Sequence, residues 1–167
     1  MAIHANLNSM LYESLIEMYE IAQYSINTIK PIPPWPVSGV YGFPAAILLL
    51  SIADTIGAYV TQESSTEKHF RILSNAAYYS PALPENDVEL IYDKYRNLVT
   101  HNGVVALNAT MKIGTIGDPI LSKETNGKSV LLLRPFLEAT RKALIVFFDQ
   151  SNELLANNKI LRNALLK

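Results

Sequence analysis

Residues 88–103 read VELIYDKYRNLVTHNG, and their spacing decides the fold class. Apolar side chains at Val88, Ile91, Tyr92, Tyr95, Leu98 and Val99 recur every three or four residues, the period of one helix face. Asn102-Gly103 then predicts a left-handed stop, because these two residue types tolerate positive φ. Arg96 falls at the edge of the buried stripe. His101 falls in the last turn or just beyond it, where the helix dipole favours a protonated imidazole. A permanent cation, an amide (Asn97) and a titratable ring thus gather at one helix end.

The rest of the chain narrows what chemistry is open to it. At 167 residues the length predicts a single domain, 1–167, large enough to bury about two-thirds of its unfolded surface. Apolar residues make up 49% and charged ones 17%, which places the chain among globular rather than disordered sequences. With no cysteine there is no disulfide, thiol nucleophile or thiolate metal site, and a reducing compartment, the cytoplasm, is the expected location. A net charge of −1 supplies no global basic field, so any contact with RNA must be local, and no DNA partner is expected. Gly-rich phosphate loops, HExxH, GxSxG and paired metal-ligand motifs are absent from the sequence, so neither a cofactor nor a metal is expected.

What remains is Arg96 and His101. In metal-free RNA cleavage the ribose 2′-OH attacks the adjacent phosphorus, leaving a 2′,3′-cyclic phosphate and a 5′-OH. The reaction needs a base, an acid and stabilisation of the phosphorane charge. His101 titrates in the right range for a base or an acid, and Arg96 offers a planar fork to phosphate oxygens. Asn97 could orient His101 or donate to the phosphate. Asp54, Tyr95 and Asn102 are candidate supporting residues. One histidine does not easily fill both proton-transfer roles, so two protomers meeting at this helix would complete the site. A purely architectural reading pairs Arg96 with Asp54 and leaves His101 as a helix cap.

The segment Arg96-Asn97-Leu98-Val99-Thr100-His101 resembles the signature of the HEPN superfamily, an Arg followed after four to six residues by His, with a polar residue often next to the Arg. The likeness covers Ala45 to Gly103 in outline and these six residues in detail. It implies an antiparallel helical bundle that dimerises. It also implies a metal-independent endoribonuclease of the toxin–antitoxin, phage-defence or RNA-processing kind, with RNA and a cognate antitoxin or partner protein as its partners. Two other classes stay open. One is a HEPN-like binding module that uses the same pocket for a nucleotide or a protein contact. The other is a dimerisation bundle leaning on its apolar last helix.

Around this centre the chain reads mainly helical. Met1 to Ser9 lacks the basic and apolar regions of a signal peptide, so no leader is expected. Leu7, Leu11, Leu15, Met18, Tyr19, Ala22 and Ile26 keep helical spacing with Glu13, Glu17 and Glu20 largely opposite, and this acidic polar face argues against a membrane surface. Pro31 to Pro36 predicts a stiff connector pinned by Trp35. Pro44 suits a helix start, and Ala45 to Val60 is apolar enough to raise a membrane span. Asp54 at its middle favours a central buried helix instead. Burying that carboxylate costs several kcal/mol unless it is partnered, either by a cation on the Arg96 helix or by the amides of a neighbouring loop.

Ser64 to Ser80 predicts a shorter helix, capped by Ser65 or Thr66, with Phe70, Leu73 and Ala77 on its buried side and His69 solvated, as His4 is. After Gly103 the period changes. Val105, Leu107, Ala109, Met111 and Ile113 alternate as in a half-buried strand, and Asn126-Gly127 predicts a hairpin joining Ile120–Leu121 to Ser129–Leu133. A small β-appendage over 104–133 is thus expected before a last helix. That helix has Pro135 in its first turn and a face of Phe136, Thr140, Leu144, Phe147, Phe148, Ser151 and Leu155.

Overall fold

The computed structural model of the chain describes residues 6–31, 39–97, 99 and 103–157, with 152 and 155–157 described by their backbone alone. The readings of His4, Trp35, Leu98, Thr100, His101, Asn102 and the side chain of Leu155 fall outside these residues. The fold is mostly helical with one small three-stranded sheet.

Helix α1 (Leu7–Asn27) begins at Asn6, whose side chain accepts the Ser9 N–H at 2.9 Å while Ser9 Oγ receives the Asn6 N–H at 3.4 Å. This reciprocal cap satisfies two of the N–H groups a helix start leaves open. Beyond α1, Ile29 bridges Val40 and the Tyr41 N–H donates to the Ser25 carbonyl, which brings the chain back alongside α1. Helix α2 (Gly42–Thr61) follows, with Pro44 in its first turn as its fixed φ permits. Ala45, Ala46, Leu49, Leu50, Ile52, Ala53, Ile56, Gly57 and Tyr59 are all buried, so α2 is enclosed on nearly every side. It is long and apolar enough to cross a membrane, yet half of that apolar window is buried against the rest of the fold. This is the central core helix that Asp54 argued for.

Gln62 ends α2 in the left-handed region (φ 55°), and the chain turns into the short helix α3 (Thr66–His69), continued by a 3-10 turn, Phe70–Ser74. Where the spacing predicts a helix to Ser80 with Ala77 buried, helical structure stops at Ser74 and Ala77 is exposed. The cause is local. Asn75 Oδ1 accepts the Ala77 N–H at 3.0 Å and the Asn75 carbonyl takes the N–H groups of Tyr78 and Tyr79, a turn that competes with the helix. Tyr78 and Tyr79 are buried in place of Ala77.

Helix α4 (Glu85–Ile91) carries Glu85 and Asp87 in its first turn, as the positive end of the dipole favours. It runs on as a π-helical turn, Tyr92–Arg96, whose end is marked by the Asn97 N–H donating to the Tyr92 carbonyl. Val88, Ile91, Tyr95 and Val99 are buried, as the spacing of the opening stretch predicts. Gly103 (φ 65°) donates to the Val99 carbonyl at 3.1 Å, the left-handed stop expected there.

The sheet comprises β1 (Ala109–Lys112), β2 (Leu121–Lys123) and β3 (Ser129–Leu132) in the order β1-β3-β2. The hairpin is the antiparallel β2–β3 pair, with Leu121 opposite Leu131. It closes through Glu124–Lys128 with Gly127 at φ 81°, one residue longer than a two-residue turn. The strand expected over Val105–Ile113 is shorter, because a turn from Ala106 to Ala109 precedes it and leaves Leu107 99% exposed. β1 pairs in parallel with β3, a contact the local pattern does not announce. Helix α5 (Leu133–Asn157) starts where β3 ends, with Pro135 in its first turn, and buries Phe136, Thr140, Leu144, Phe147 and Ser151 against α1 and α2.

Candidate functional site

Asp54 lies on α2, one turn before Gly57, and its carboxylate sits between His69, at the end of α3, and Arg96, at the end of the π-helical turn. Oδ1 is 2.7 Å from His69 Nδ1, and Oδ2 is 3.6 Å from an Arg96 Nη. The expectation that Asp54 comes within ion-pair reach of Arg96 is met by the second distance. Side-chain exposures are 26% for Asp54, 13% for His69 and 18% for Arg96, so water screens the cluster only partly. Opposite unit charges 4 Å apart in such surroundings attract by roughly 4 kcal/mol before desolvation is subtracted.

His69 is the residue that sequence reasoning missed. It is not solvated: Nδ1 meets Asp54 and Nε2 lies 2.8 Å from the Glu63 carbonyl. Both neighbours are acceptors, and a neutral imidazole donates from only one nitrogen. The two contacts are therefore satisfied together when the ring carries hydrogen on both. What brings the ring there is Gly57. A Cβ at that position would overlap the His69 carbonyl, so the backbone of α3 rests directly on α2. A glycine three residues after a carboxylate, on an otherwise apolar helix, is the signal that could have pointed to a close partner.

Arg96 is held on two further sides. One Nη donates to Asn97 Oδ1 at 3.3 Å, and the guanidinium carbon lies 5.9 Å from the centre of the Tyr92 ring, within cation–π range. Tyr92 in turn meets Phe70 edge-on at 5.5 Å, so the residue after His69 supports the same guanidinium through a ring. The π-helical turn holds one more residue than an α turn, and it aims Arg96 and Asn97 in a direction that an uninterrupted helix would not.

Tyr95 stands apart from this cluster. It is fully buried, and its hydroxyl lies 2.7 Å from the Ser129 carbonyl and 3.1 Å from that of Thr110, so it ties α4 to the sheet. Burial pushes its hydroxyl up to about 12, keeping it a neutral donor. Tyr95→Phe is expected to cost about 1 kcal/mol, the net worth of one such hydrogen bond, seen as a lower urea midpoint at unchanged m. A midpoint equal to wild type would show that the hydroxyl contributes nothing.

The structure thus brings together Asp54, Arg96 and Asn97 with His69, and turns Tyr95 toward the sheet; His101 and Asn102 lie outside the described residues. As an arrangement it presents a guanidinium oriented by a carboxylate, an amide and a ring. Such a group suits recognition of a phosphate or another anion. Comparison with family models, curated proteins and solved structures finds no match to this chain.

Proposed function

We propose that the protein is a cytoplasmic, metal-independent endoribonuclease of HEPN type that cleaves RNA at a site shared by two copies of the chain. The observation that carries this reading is the seat of Arg96, over the Tyr92 ring and against Asn97. The arginine of the Arg-x4-His segment sits in a prepared, partly buried electrostatic setting and not on open surface. The π-helical turn beneath it is further support, since such turns concentrate at functional sites. In the proposed reaction the 2′-oxygen forms a bond to phosphorus and the 5′-oxygen leaves. One His101 takes the 2′-OH proton, and the second copy's equivalent residue protonates the leaving oxygen. Arg96 compensates the charge that builds on the phosphorane, and Asn97 holds Arg96.

The direct test is incubation of the purified protein with total RNA in EDTA, followed by end-group analysis. Fragments ending in 2′,3′-cyclic phosphate and 5′-OH are expected; intact RNA would sink the reading. The composite site also requires a homodimer joined near the ends of the α4 helices. Light scattering at micromolar concentration should give twice the chain mass, and a strictly monomeric mass would remove the shared site. A second reading, a binding or dimerisation module without catalysis, is favoured by one fact: Asp54 already lies within ion-pair reach of Arg96, as an architectural pair would.

A further inference from the structure

The Arg96 cluster contains a histidine that the Arg-x4-His segment does not include. We infer that His69 is a positioning residue of this site, fixing Arg96 through Asp54. Its catalytic consequence rests on the function proposed above; its effect on Arg96 does not.

The chain of contacts is short. Gly57 lets the backbone of His69 rest on α2, which sets the ring beside Asp54 one turn earlier on the same helix. The Glu63 carbonyl holds Nε2 from the far side, so the ring is clamped at both nitrogens. One carboxylate oxygen is thereby committed to Nδ1. The other reaches Arg96 only at 3.6 Å, a charge contact too long for a hydrogen bond. With the ring in place the carboxylate does not swing into a two-oxygen clasp on the guanidinium, the geometry arginine and carboxylate otherwise favour. Arg96 keeps its seat over Tyr92 and against Asn97. Remove the ring and Arg96 is the one cation left to the carboxylate among the described residues. The carboxylate then closes on Arg96, draws it from its seat and cancels its charge.

The test uses the full chain and two readouts. One is steady-state cleavage of a short RNA. The other is the ¹H–¹⁵N resonance of the Arg96 Nε–H, assigned by its loss in Arg96→Lys. His69→Ala should lower kcat by about ten- to 100-fold, the scale of a reacting group misplaced by about an ångström, with KM little changed. His69→Asn keeps a donor near the Nδ1 position and should restore most of the activity. His69→Gln reaches toward the Glu63 carbonyl instead and should not. The Arg96 resonance should move in the Ala and Gln variants and return toward wild type in Asn. A resonance unmoved in all three variants overturns the inference, whether or not RNA is cut. Lower thermal stability in His69→Ala with unchanged kcat and resonance would do the same, leaving a purely structural role. Wild-type protein that cuts no RNA but shows the resonance pattern overturns the nuclease and keeps the inference. Should His69→Ala not fold, the Asn and Gln pair carries the same comparison.

Discussion

His101→Ala is expected to reduce RNA cleavage at least about 100-fold, the low end for loss of a general acid or base. The fold should survive, because the loss of a helix cap, the architectural role the sequence suggests for His101, costs only about 1 kcal/mol against a domain stability of roughly 5–15 kcal/mol. Arg96→Lys should impair cleavage as well. The ammonium keeps the charge but loses the planar fork that matches two phosphate oxygens, and it loses the flat face over Tyr92. EDTA should leave the wild-type rate unchanged. The comparison is made at matched circular dichroism, so that a folding defect is not mistaken for a chemical one. Equal cleavage by wild type and His101→Ala would trace the activity to a contaminating nuclease. Equal inactivity would leave the binding module as the better account.

The second large effect concerns stability and reverses an ordinary rule. In a helix interior, replacing glycine by alanine usually stabilises by about 1 kcal/mol. Gly57→Ala should instead destabilise by about 2 kcal/mol. The new methyl group would overlap the carbonyl of His69, and a backbone atom of a packed element cannot rotate out of the way as a flexible side chain can. Overpacking of this kind costs typically 1–3 kcal/mol, and here α3 must lift, so the contact from His69 to Asp54 is lost with it. For a chain of this size the melting temperature should fall by about 4–8 °C. Gly42→Ala on the same helix is the control. Its methyl would sit 3.5 Å from a Leu133 methyl, an ordinary contact, and should change little. An unchanged melting temperature in Gly57→Ala would mean that α3 does not rest on α2 as described.

Much of this arrangement is legible in the residues, and the failures have definite causes. Asp54 in an apolar helix has a solvation cost that calls for a cation or hydrogen-bond donors; Arg96 comes within ion-pair reach, and His69 makes the closer contact. The apolar run 45–60 reads correctly as the core helix because a carboxylate at its centre is a poor fit to lipid. His69 was hidden because its helix is short and reads as surface. Its enclosure depends on contact with a helix earlier in the chain, set by a missing side chain at Gly57 and not by any local pattern. Helix α3 stops early because Asn75 offers its neighbours a better turn, a competition that apolar spacing does not register. The hairpin is legible from Asn126-Gly127 because turn chemistry is local; the parallel pairing of Ala109 with Ser129 is settled by packing. The π-helical turn has no signature in YDKYR, which fits an α period equally well.

The junction of β3 and α5 changes how the small sheet behaves. Leu132 closes the strand and Leu133 opens the helix, with no residue between them. The Arg134 N–H, in the first turn of α5, donates to the Ile113 carbonyl just past β1, and Leu132 donates to Ile120 just before β2. The last amide of β3 and one in the first turn of α5 therefore have their partners beside the two flanking strands. Peeling the central strand away exposes the first turn of the longest helix, and fraying that turn unseats the strand. In hydrogen exchange the sheet and the start of α5 are expected to open as one cooperative unit, with the end of α4 enrolled in it through the Tyr95 hydroxyl. What reads along the chain as an appendage between helices is energetically part of the last helix.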